Sequence, residues 1–258
     1  MLDLARLPRL ELERMAAAGQ AALDCLKSLA AAGDSVVSRA LGSAETFYEW
    51  QHYPAGDVYD PRTHAQYYYH AHPPAERGTS EHGHFHTFLR PRGMPAGVQP
   101  LMLPELAIPD APAQPQGPVL PPARQPNQGE DNDKLSHLVA ISMDSRGLPM
   151  RLFTTNRWVS GETWCSAEDV VRMLDRFAID TGEPSRPVNG WITAMFTLFR
   201  PQMHALLAAR DAAIMSWRRR HRGKIHVFED RRLEVTSAAA IDVADQVRRI
   251  DAELRRAA

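Results

Sequence analysis

Residues 63–90 read THAQYYYHAHPPAERGTSEHGHFHTFLR and contain two histidine clusters on segments that we predict to be β-strands. The first segment, residues 67–72, is rich in tyrosine, a residue type that is enriched in strands. In the second segment, residues 82–88, histidine recurs at every second position, and such positions share one face of a strand. Antiparallel pairing in the right register would bring five imidazoles to one patch. They are His70, His72, His82, His84 and His86.

The pairing register decides whether the two clusters meet. Residues 73–81 connect the two segments, and their prolines, glycine, threonine and serine suit a hairpin loop or a longer connection. A slip of one residue would turn one histidine face away from the other. The sequence by itself leaves both registers open.

The clustered histidines indicate a metal site. Neutral imidazole is a ligand for zinc, iron and copper, and alternate strand positions can offer several nitrogens to one ion. Catalytic metal sites usually have three protein ligands and one open position. His84, His86 and one histidine of the first cluster would therefore suffice. We predict a transition-metal ion (iron, copper or zinc) as the cofactor.

A nearby carboxylate could complete the ligand set. Glu81 or Glu76 would give two histidines and one carboxylate, an arrangement that favours non-haem iron and oxygen chemistry. The spacing His70-x-His72-x3-Glu76-x6-Gly83 resembles the first metal-binding motif of the cupins, HxHx(3,4)Ex(6)G. The resemblance covers fourteen residues and concerns the ligands alone. It departs from the cupin pattern at position 64, where a glycine is expected, and no second motif follows.

A second resemblance covers more of the chain. The segment EHGHFHTF, following YYYHAH, resembles an uncharacterised bacterial domain-of-unknown-function family, over most of residues 46–215. This resemblance implies no activity, no cofactor and no catalytic residue.

Composition narrows the class of protein. The chain has 258 residues, a formal net charge of −1 and two cysteines, so neither a nucleic-acid partner nor a disulfide framework is indicated. The N-terminus lacks the apolar segment of a secretory signal, and no apolar run approaches the roughly 20 residues of a membrane helix. We expect a cytoplasmic protein that acts on a small molecule, without a nucleic-acid or membrane partner.

The predicted fold class is α+β, with one domain spanning residues 1–258. A small antiparallel sheet of hairpins is covered by N-terminal, central and C-terminal helices. Strands are predicted at residues 67–72, 82–88, 137–143, 150–158, 224–229 and 232–236. Helices are predicted at residues 8–31, 35–41, 167–179, 188–221 (divided near Pro201) and 237–258. Residues 46–63 are aromatic and irregular, and either line a pocket or cover one end of the sheet.

Residues 91–134 form a proline-rich segment. Eleven of the chain's twenty prolines lie between Pro91 and Pro126. Because proline removes a backbone donor and fixes φ, regular helix or central strand is excluded here. We predict an extended arm that either connects elements or mediates self-association or binding to a protein partner. Its apolar piece, residues 101–109, is suited to lie across the surface of its own domain or of a partner.

Further candidates lie outside the histidine clusters. The loop at residues 156–165 joins a strand to a helix, where function is often located, and supplies Arg157, Glu162 and Trp164 as catalytic candidates. Cys165, in the same loop, is interpreted as a buried inert thiol. His137 is interpreted as the cap of a strand edge, with membership of the histidine cluster as the alternative.

The sequence predicts a metal-dependent enzyme, preferably an oxidoreductase using iron or copper. Its aromatic composition favours redox chemistry over hydrolysis, with Tyr68, Trp158 or Trp164 near the metal and Tyr68 and Glu81 as further catalytic candidates. One alternative is a metal- or haem-binding accessory protein without catalysis that docks through the proline-rich arm. Another is a domain whose histidines serve acid–base or structural roles.

Overall fold

The fold is built on one antiparallel sheet with helices packed against it. A computed structural model describes residues 4–42, 44, 46–73, 80–101, 103 and 134–256. The strands are β1 (Tyr53–Tyr59), β2 (Ala65–His70), β3 (Glu81–Leu89), β4 (Ser136–Asp144), β5 (Pro149–Thr155) and β6 (Val235–Ala240). The helices are α1 (Arg9–Ala31), α2 (Val36–Leu41), α3 (Arg157–Ser160), α4 (Ala167–Leu174), α5 (Arg186–Leu198), α6 (Arg200–Arg220) and α7 (Val243–Arg256). Short 3-10 turns lie at Leu4–Arg6, Pro91–Gly93 and Val227–Glu229.

The sheet is open and follows the order of the chain. Its strand order is β1-β2-β3-β4-β5-β6, and every neighbouring pair is antiparallel. Strands next to each other in sequence thus pair next to each other in space, the simplest way to form such a sheet. The predicted α+β fold class is confirmed.

One face of the sheet forms the hydrophobic core with the helices. The ring of Phe85 on β3 lies 5.8 Å from the ring of Trp191 on α5. On the neighbouring strand, the Tyr67 hydroxyl donates a 2.6 Å hydrogen bond to the Asn189 side chain of α5. Helix α1 packs on α5 and α7. Since side chains alternate along a strand, the residues between Tyr67 and Tyr69, and between Phe85 and Thr87, belong to the opposite face.

Several helix boundaries agree with the sequence signals. Ser35 caps α2, and Ser166 caps α4 by accepting a hydrogen bond from the Asp169 backbone. Pro201 lies in the first turn of α6, directly after the break between α5 and α6 at Phe199. Proline fits there because the backbone N–H groups in the first turn of a helix have no intrahelical acceptor. The N–H that proline lacks would therefore make no helical hydrogen bond. The predicted division of the long helix near Pro201 is confirmed.

The two outer strands were assigned wrongly from sequence. Residues 53–59 lie within the stretch expected to be irregular, yet they form β1 beside β2. The expected hairpin at residues 224–236 is absent: residues 227–229 form a 3-10 turn, and β6 pairs with β5 instead. Residues 237–240 therefore belong to a strand, and α7 begins later than expected. The serine and alanines at 237–240 have a helical propensity, but their backbone pairing with β5 outweighs it. Strand preference depends strongly on such context.

Among the described residues, no helix combines the length and the apolar character that crossing a membrane requires. Most of the proline-rich arm (residues 102 and 104–133) lies outside the described part of the chain, as does Glu76.

Candidate metal centre

The register of β2 and β3 aligns the histidine faces. His70 lies directly opposite His84, and Tyr68 lies opposite His86. All four side chains occupy the sheet face opposite to Phe85 and the helical core. Of the two registers that the sequence leaves open, the structure has the one that aligns these histidines.

His82 does not share this face. The pairing of β3 with β4 shifts between Glu81 and Gly83, which marks a β-bulge, and a bulge breaks the strict alternation of side chains. Nδ1 of His82 lies 2.6 Å from the Tyr69 hydroxyl, and its ring lies 5.5 Å from that of Phe47. The expectation that His82 points to the same side as His84 is therefore wrong.

Gly83 allows the strands to approach closely at the bulge. A Cβ atom at this position would lie 2.5 Å from the His70 carbonyl oxygen and 2.6 Å from the Tyr69 hydroxyl. Both distances are shorter than van der Waals contact, so a side chain would force β2 and β3 apart. An isolated glycine in a strand pattern is the sequence signal that could have indicated this bulge.

Three histidines form a group that could hold a metal ion. His70, His72 and His84 each offer one ring nitrogen, and these atoms all lie within 4.8 Å of one another. The Nε2 atoms of His70 and His84 are 2.8 Å apart. His70 and His84 are buried, with 7% and 6% of their surface exposed, and His72 is half-buried. Burial, followed by the neighbouring histidines, holds the pKa of His70 well below its ordinary value, so its lone pair is free of a proton at neutral pH.

Glu81 orients His84. One carboxylate oxygen lies 2.8 Å from Nδ1 of His84, and the other accepts a 2.8 Å hydrogen bond from Arg151. Burial alone would raise the pKa of Glu81, but hydrogen bonds from His84 and Ser142 and the nearby positive charges bring it down to about 2. The ionised carboxylate accepts a hydrogen bond from Nδ1 of His84, so Nε2, which faces His70, is the candidate ligand atom of this ring. Glu81 thus lies behind a candidate ligand and outside the group of three.

His86 extends the cluster toward β4. Its ring lies 4.8 Å from that of His84, and its Nδ1 is 2.9 Å from Nε2 of His137. Nε2 of His86 is buried and has no hydrogen-bond partner among the described residues. Because buried polar atoms are nearly always paired, this orphaned nitrogen indicates a contact with a group bound beside the three histidines, and His86 itself lies outside their group. Burial, then the neighbouring histidines, keeps the pKa of His86 well below its ordinary value.

His137 belongs to the cluster and does not cap a strand edge. The pairing of β3 with β4 shifts again between His86 and Phe88, which places His137 opposite Phe88 on the histidine face. Its pKa falls to about 3, through burial first and then the charge of Arg210. The interpretation of His137 as a strand-edge cap is therefore wrong, because the second register shift is not visible in the sequence.

Aromatic rings surround the three histidines. The ring of Tyr68 lies 5.4 Å from that of His70, and Trp50 lies 4.2 Å from His72. His52 stacks on Tyr68 at 3.5 Å. Burial, together with the charge of Asp57, raises the pKa of Tyr68, so its phenol stays protonated at neutral pH. Sequence reasoning named Tyr68 and placed Trp50 and His52 in an aromatic stretch without assigning them to this site.

Neither Trp158 nor Trp164 contacts this site in the described part of the chain. The indole of Trp158 donates to the backbone of Leu233, and Trp164 packs on Phe228. The expectation that one of these tryptophans lies near the metal is wrong, since the 156–165 loop folds toward residues 226–234 instead.

The remaining catalytic candidates line a separate cavity. Arg157, Glu162 and Trp164 surround a space of about 600 Å³. One oxygen of Glu162 accepts a 2.6 Å hydrogen bond from the His137 backbone N–H, and burial raises the pKa of Glu162 to about 7. Burial also raises the pKa of Cys165 to about 11, which agrees with an inert thiol.

Comparison with known proteins gives one match. A family model described as "Domain of unknown function (DUF6969)" matches residues 16–241. No curated protein and no solved structure matches the chain. The match confirms the resemblance to a domain-of-unknown-function family and lends no support to the cupin-like spacing, whose Glu76 lies outside the described residues.

Proposed function

The chain belongs to the DUF6969 family, a domain family of unknown function, and we propose from its site that it binds one transition-metal ion and uses it in redox chemistry on a small molecule. His70, His72 and His84 are the proposed ligands, and the orphaned Nε2 of the neighbouring His86 is available to a molecule bound to the ion. Glu81 is a positioning residue for His84. His82 is left out of the ligand set because it faces Tyr69.

The observation that supports the proposal is the convergence of three ring nitrogens within 4.8 Å of one another. Metal–imidazole bonds are about 2.0–2.1 Å long, so the nitrogens of a tetrahedral site lie about 3.4 Å apart. The group needs only small side-chain movements to reach that spacing. A carboxylate behind a ligating histidine is also a recurrent feature of metal sites.

The surroundings favour redox chemistry over hydrolysis. Three protein ligands leave a coordination position for a substrate, and the site is bordered by Trp50, Tyr68 and Phe153. A protonated phenol at Tyr68 can donate a hydrogen bond to a molecule held in front of His70. Imidazole ligands suit iron and copper, the two metals that supply such chemistry.

A reconstitution experiment tests this function. The metal-free chain is loaded separately with iron, copper and zinc, and the loaded forms are titrated electrochemically. We expect iron or copper to bind and to show a reversible one-electron couple that is absent from the His84→Ala variant. Binding of zinc alone, or a bound iron or copper ion without such a couple, would reject the redox assignment.

A further inference from the structure

A cavity of about 600 Å³ lies beside the histidine cluster and is lined by residues from three parts of the chain. Its described lining comes from residues 91–101 and 103, from Lys134 with the 157–165 loop, and from residues 226–228. None of His70, His72 and His84 lines it. The volume is within the range of about 300–1,000 Å³ that is typical of small-molecule sites.

Unpartnered polar atoms are concentrated on the wall of this cavity. Four side chains that line the cavity each carry a buried nitrogen or oxygen without a hydrogen-bond partner among the described residues. These atoms are Arg157 Nε, Glu162 Oε1, Trp164 Nε1 and His226 Nδ1. Since buried polar atoms are nearly always paired in a folded protein, their grouping around one space indicates a ligand with several polar contacts.

The wall offers mainly hydrogen-bond donors. An indole Nε1 and a guanidinium Nε can only donate. Lys134 adds a positive charge, and Arg157 is ion-paired with Glu229 through a terminal nitrogen, which leaves its Nε as the unpartnered donor. Glu162 is the one carboxylate among the described residues of the wall, and its Oε2 already accepts hydrogen bonds from the His137 backbone and from the Ser136 hydroxyl. When Glu162 is protonated its proton therefore belongs on Oε1, which makes Oε1 a donor as well. A group that accepts several hydrogen bonds and carries negative charge suits this wall.

The rest of the lining is apolar. Met94, Leu101, Leu103 and Phe228 face the space together with prolines of the 91–100 segment. The position of Trp164 is fixed by packing against the tilted ring of Phe228, with ring centroids 4.8 Å apart, and by the Arg210 guanidinium 4.1 Å from its ring. The indole donor is thus held rigidly at the boundary between the apolar and the polar part of the wall.

We propose that this cavity binds a small carboxylic acid with an apolar or aromatic body, whose carboxylate accepts hydrogen bonds from Trp164 and Arg157. The apolar body contacts the 91–103 segment and Phe228. The site does not rest on the metal proposal, because no candidate metal ligand lines the cavity. Neutral molecules of the same shape bind less tightly, since they cannot use the positive charge of the wall.

Calorimetric titration of the untagged full chain tests this site. The probes are 3-phenylpropanoate and octanoate, each compared with the alcohol of the same carbon skeleton. We expect saturable one-to-one binding of at least one carboxylate, and binding at least about tenfold weaker for its alcohol, because hydrogen bonds to a charged group are the stronger kind. Failure of both carboxylates to bind, or equal affinity for acid and alcohol, would overturn the proposal.

Two variants locate the bound carboxylate. Trp164→Phe removes the donor and keeps an aromatic ring, and it should weaken binding at least about tenfold. Trp191→Phe is the matched control, because Trp191 also has an unpartnered Nε1 but packs on Phe85 in the core. If Trp164→Phe fails to fold, as judged by circular dichroism, Arg157→Gln replaces it with the same expectation. Unchanged binding in the folded cavity variant would exclude the site.

His84→Ala separates this proposal from the metal proposal. The variant removes a proposed metal ligand that does not line the cavity, so carboxylate binding should stay unchanged while metal loading is lost. Loss of carboxylate binding in His84→Ala would show that the cavity is not an independent site.

Discussion

The Nε2 atoms of His70 and His84 lie 2.8 Å apart across the paired strands β2 and β3. Both side chains are buried, so neither nitrogen has bulk water as an alternative partner. At this distance two imidazole nitrogens share either a proton or a cation. His72 adds a third nitrogen within 4.8 Å, which is close enough for the three rings to bind one metal ion. This relationship leads to the predictions that follow.

Removing a proposed ligand should abolish metal loading. His70→Ala and His84→Ala each delete one of the three converging nitrogens, and the remaining pair cannot complete a three-ligand site. His204→Ala and His221→Ala are the controls, since both residues lie on or at the end of α6, which packs mainly on β6, α4 and β5. Elemental analysis of the four purified variants after metal loading is the measurement. Equal loading in all four would exclude the assignment.

Glu81→Gln should weaken metal binding by about 10–100-fold without abolishing it. The amide keeps the size of the side chain but removes the negative charge that holds the Nδ1 proton of His84. Competition with a chromophoric chelator measures the affinity. Glu253→Gln, in an exposed ion pair of α7, is the matched control and should bind like the unchanged chain. An unaltered affinity in Glu81→Gln would mean that the carboxylate does not act on the site.

The metal-free chain should lose stability in mild acid because of His137. Its pKa is about 3 in the folded chain against an ordinary 6.5, so between these values the unfolded chain takes up a proton that the folded chain does not. The contribution of His137 to the free energy of unfolding is fully present above pH 6.5 and is lost as the pH falls from there toward 3. Between pH 7 and pH 5 the free energy of unfolding should drop by about 2 kcal/mol from this residue.

Urea denaturation of the metal-free chain at pH 7 and at pH 5 measures this loss. His137→Gln has no proton to take up, so its stability should fall less over the same interval. An identical drop in both proteins would contradict the assignment of the acid sensitivity to His137.

Glu162 should have the opposite pH dependence. Its pKa is about 7 in the folded chain against an ordinary 4.5, so the folded chain binds the proton more tightly. The stability from this group is present below pH 4.5 and is lost as the pH rises through 7. Relative to the unchanged chain, Glu162→Gln should therefore gain about 2 to 3 kcal/mol in the free energy of unfolding between pH 5 and pH 9.

The same denaturation experiment at pH 5 and pH 9 checks this gain. Glu13→Gln, in an exposed ion pair of α1, should show no such change. A constant difference between Glu162→Gln and the unchanged chain at both pH values would mean that Glu162 is ionised throughout.

The two histidine strands were predictable because each depends on a local pattern. Alternation along residues 82–88 places His84 and His86 on one face of their strand, whereas the register that brings His70 opposite His84 was left open by the sequence. The position of His82 was not predictable in this way, because the bulge at Gly83 arises from the fit of β3 against β4.

Other parts of the site depend on contacts between distant segments. His137 reaches the cluster only through the second register shift between β3 and β4. Trp50 and His52 become part of the site because β1, which the sequence did not reveal, pairs with β2. The cavity around Glu162 needs three loops from different regions of the chain. Contacts between segments that are distant in the chain cannot be read from the local pattern of a single sequence. The local pattern did place Arg157, Glu162 and Trp164 in one loop.

The metal content of the untagged chain, purified without nickel resin, tests the central claim most directly. Elemental mass spectrometry with an absorption spectrum of the same sample gives both the amount and the kind of metal. The account predicts near-stoichiometric iron, copper or zinc, held by the unchanged chain and absent from His84→Ala. A chain that is isolated without metal and takes up none of these ions on incubation would contradict it.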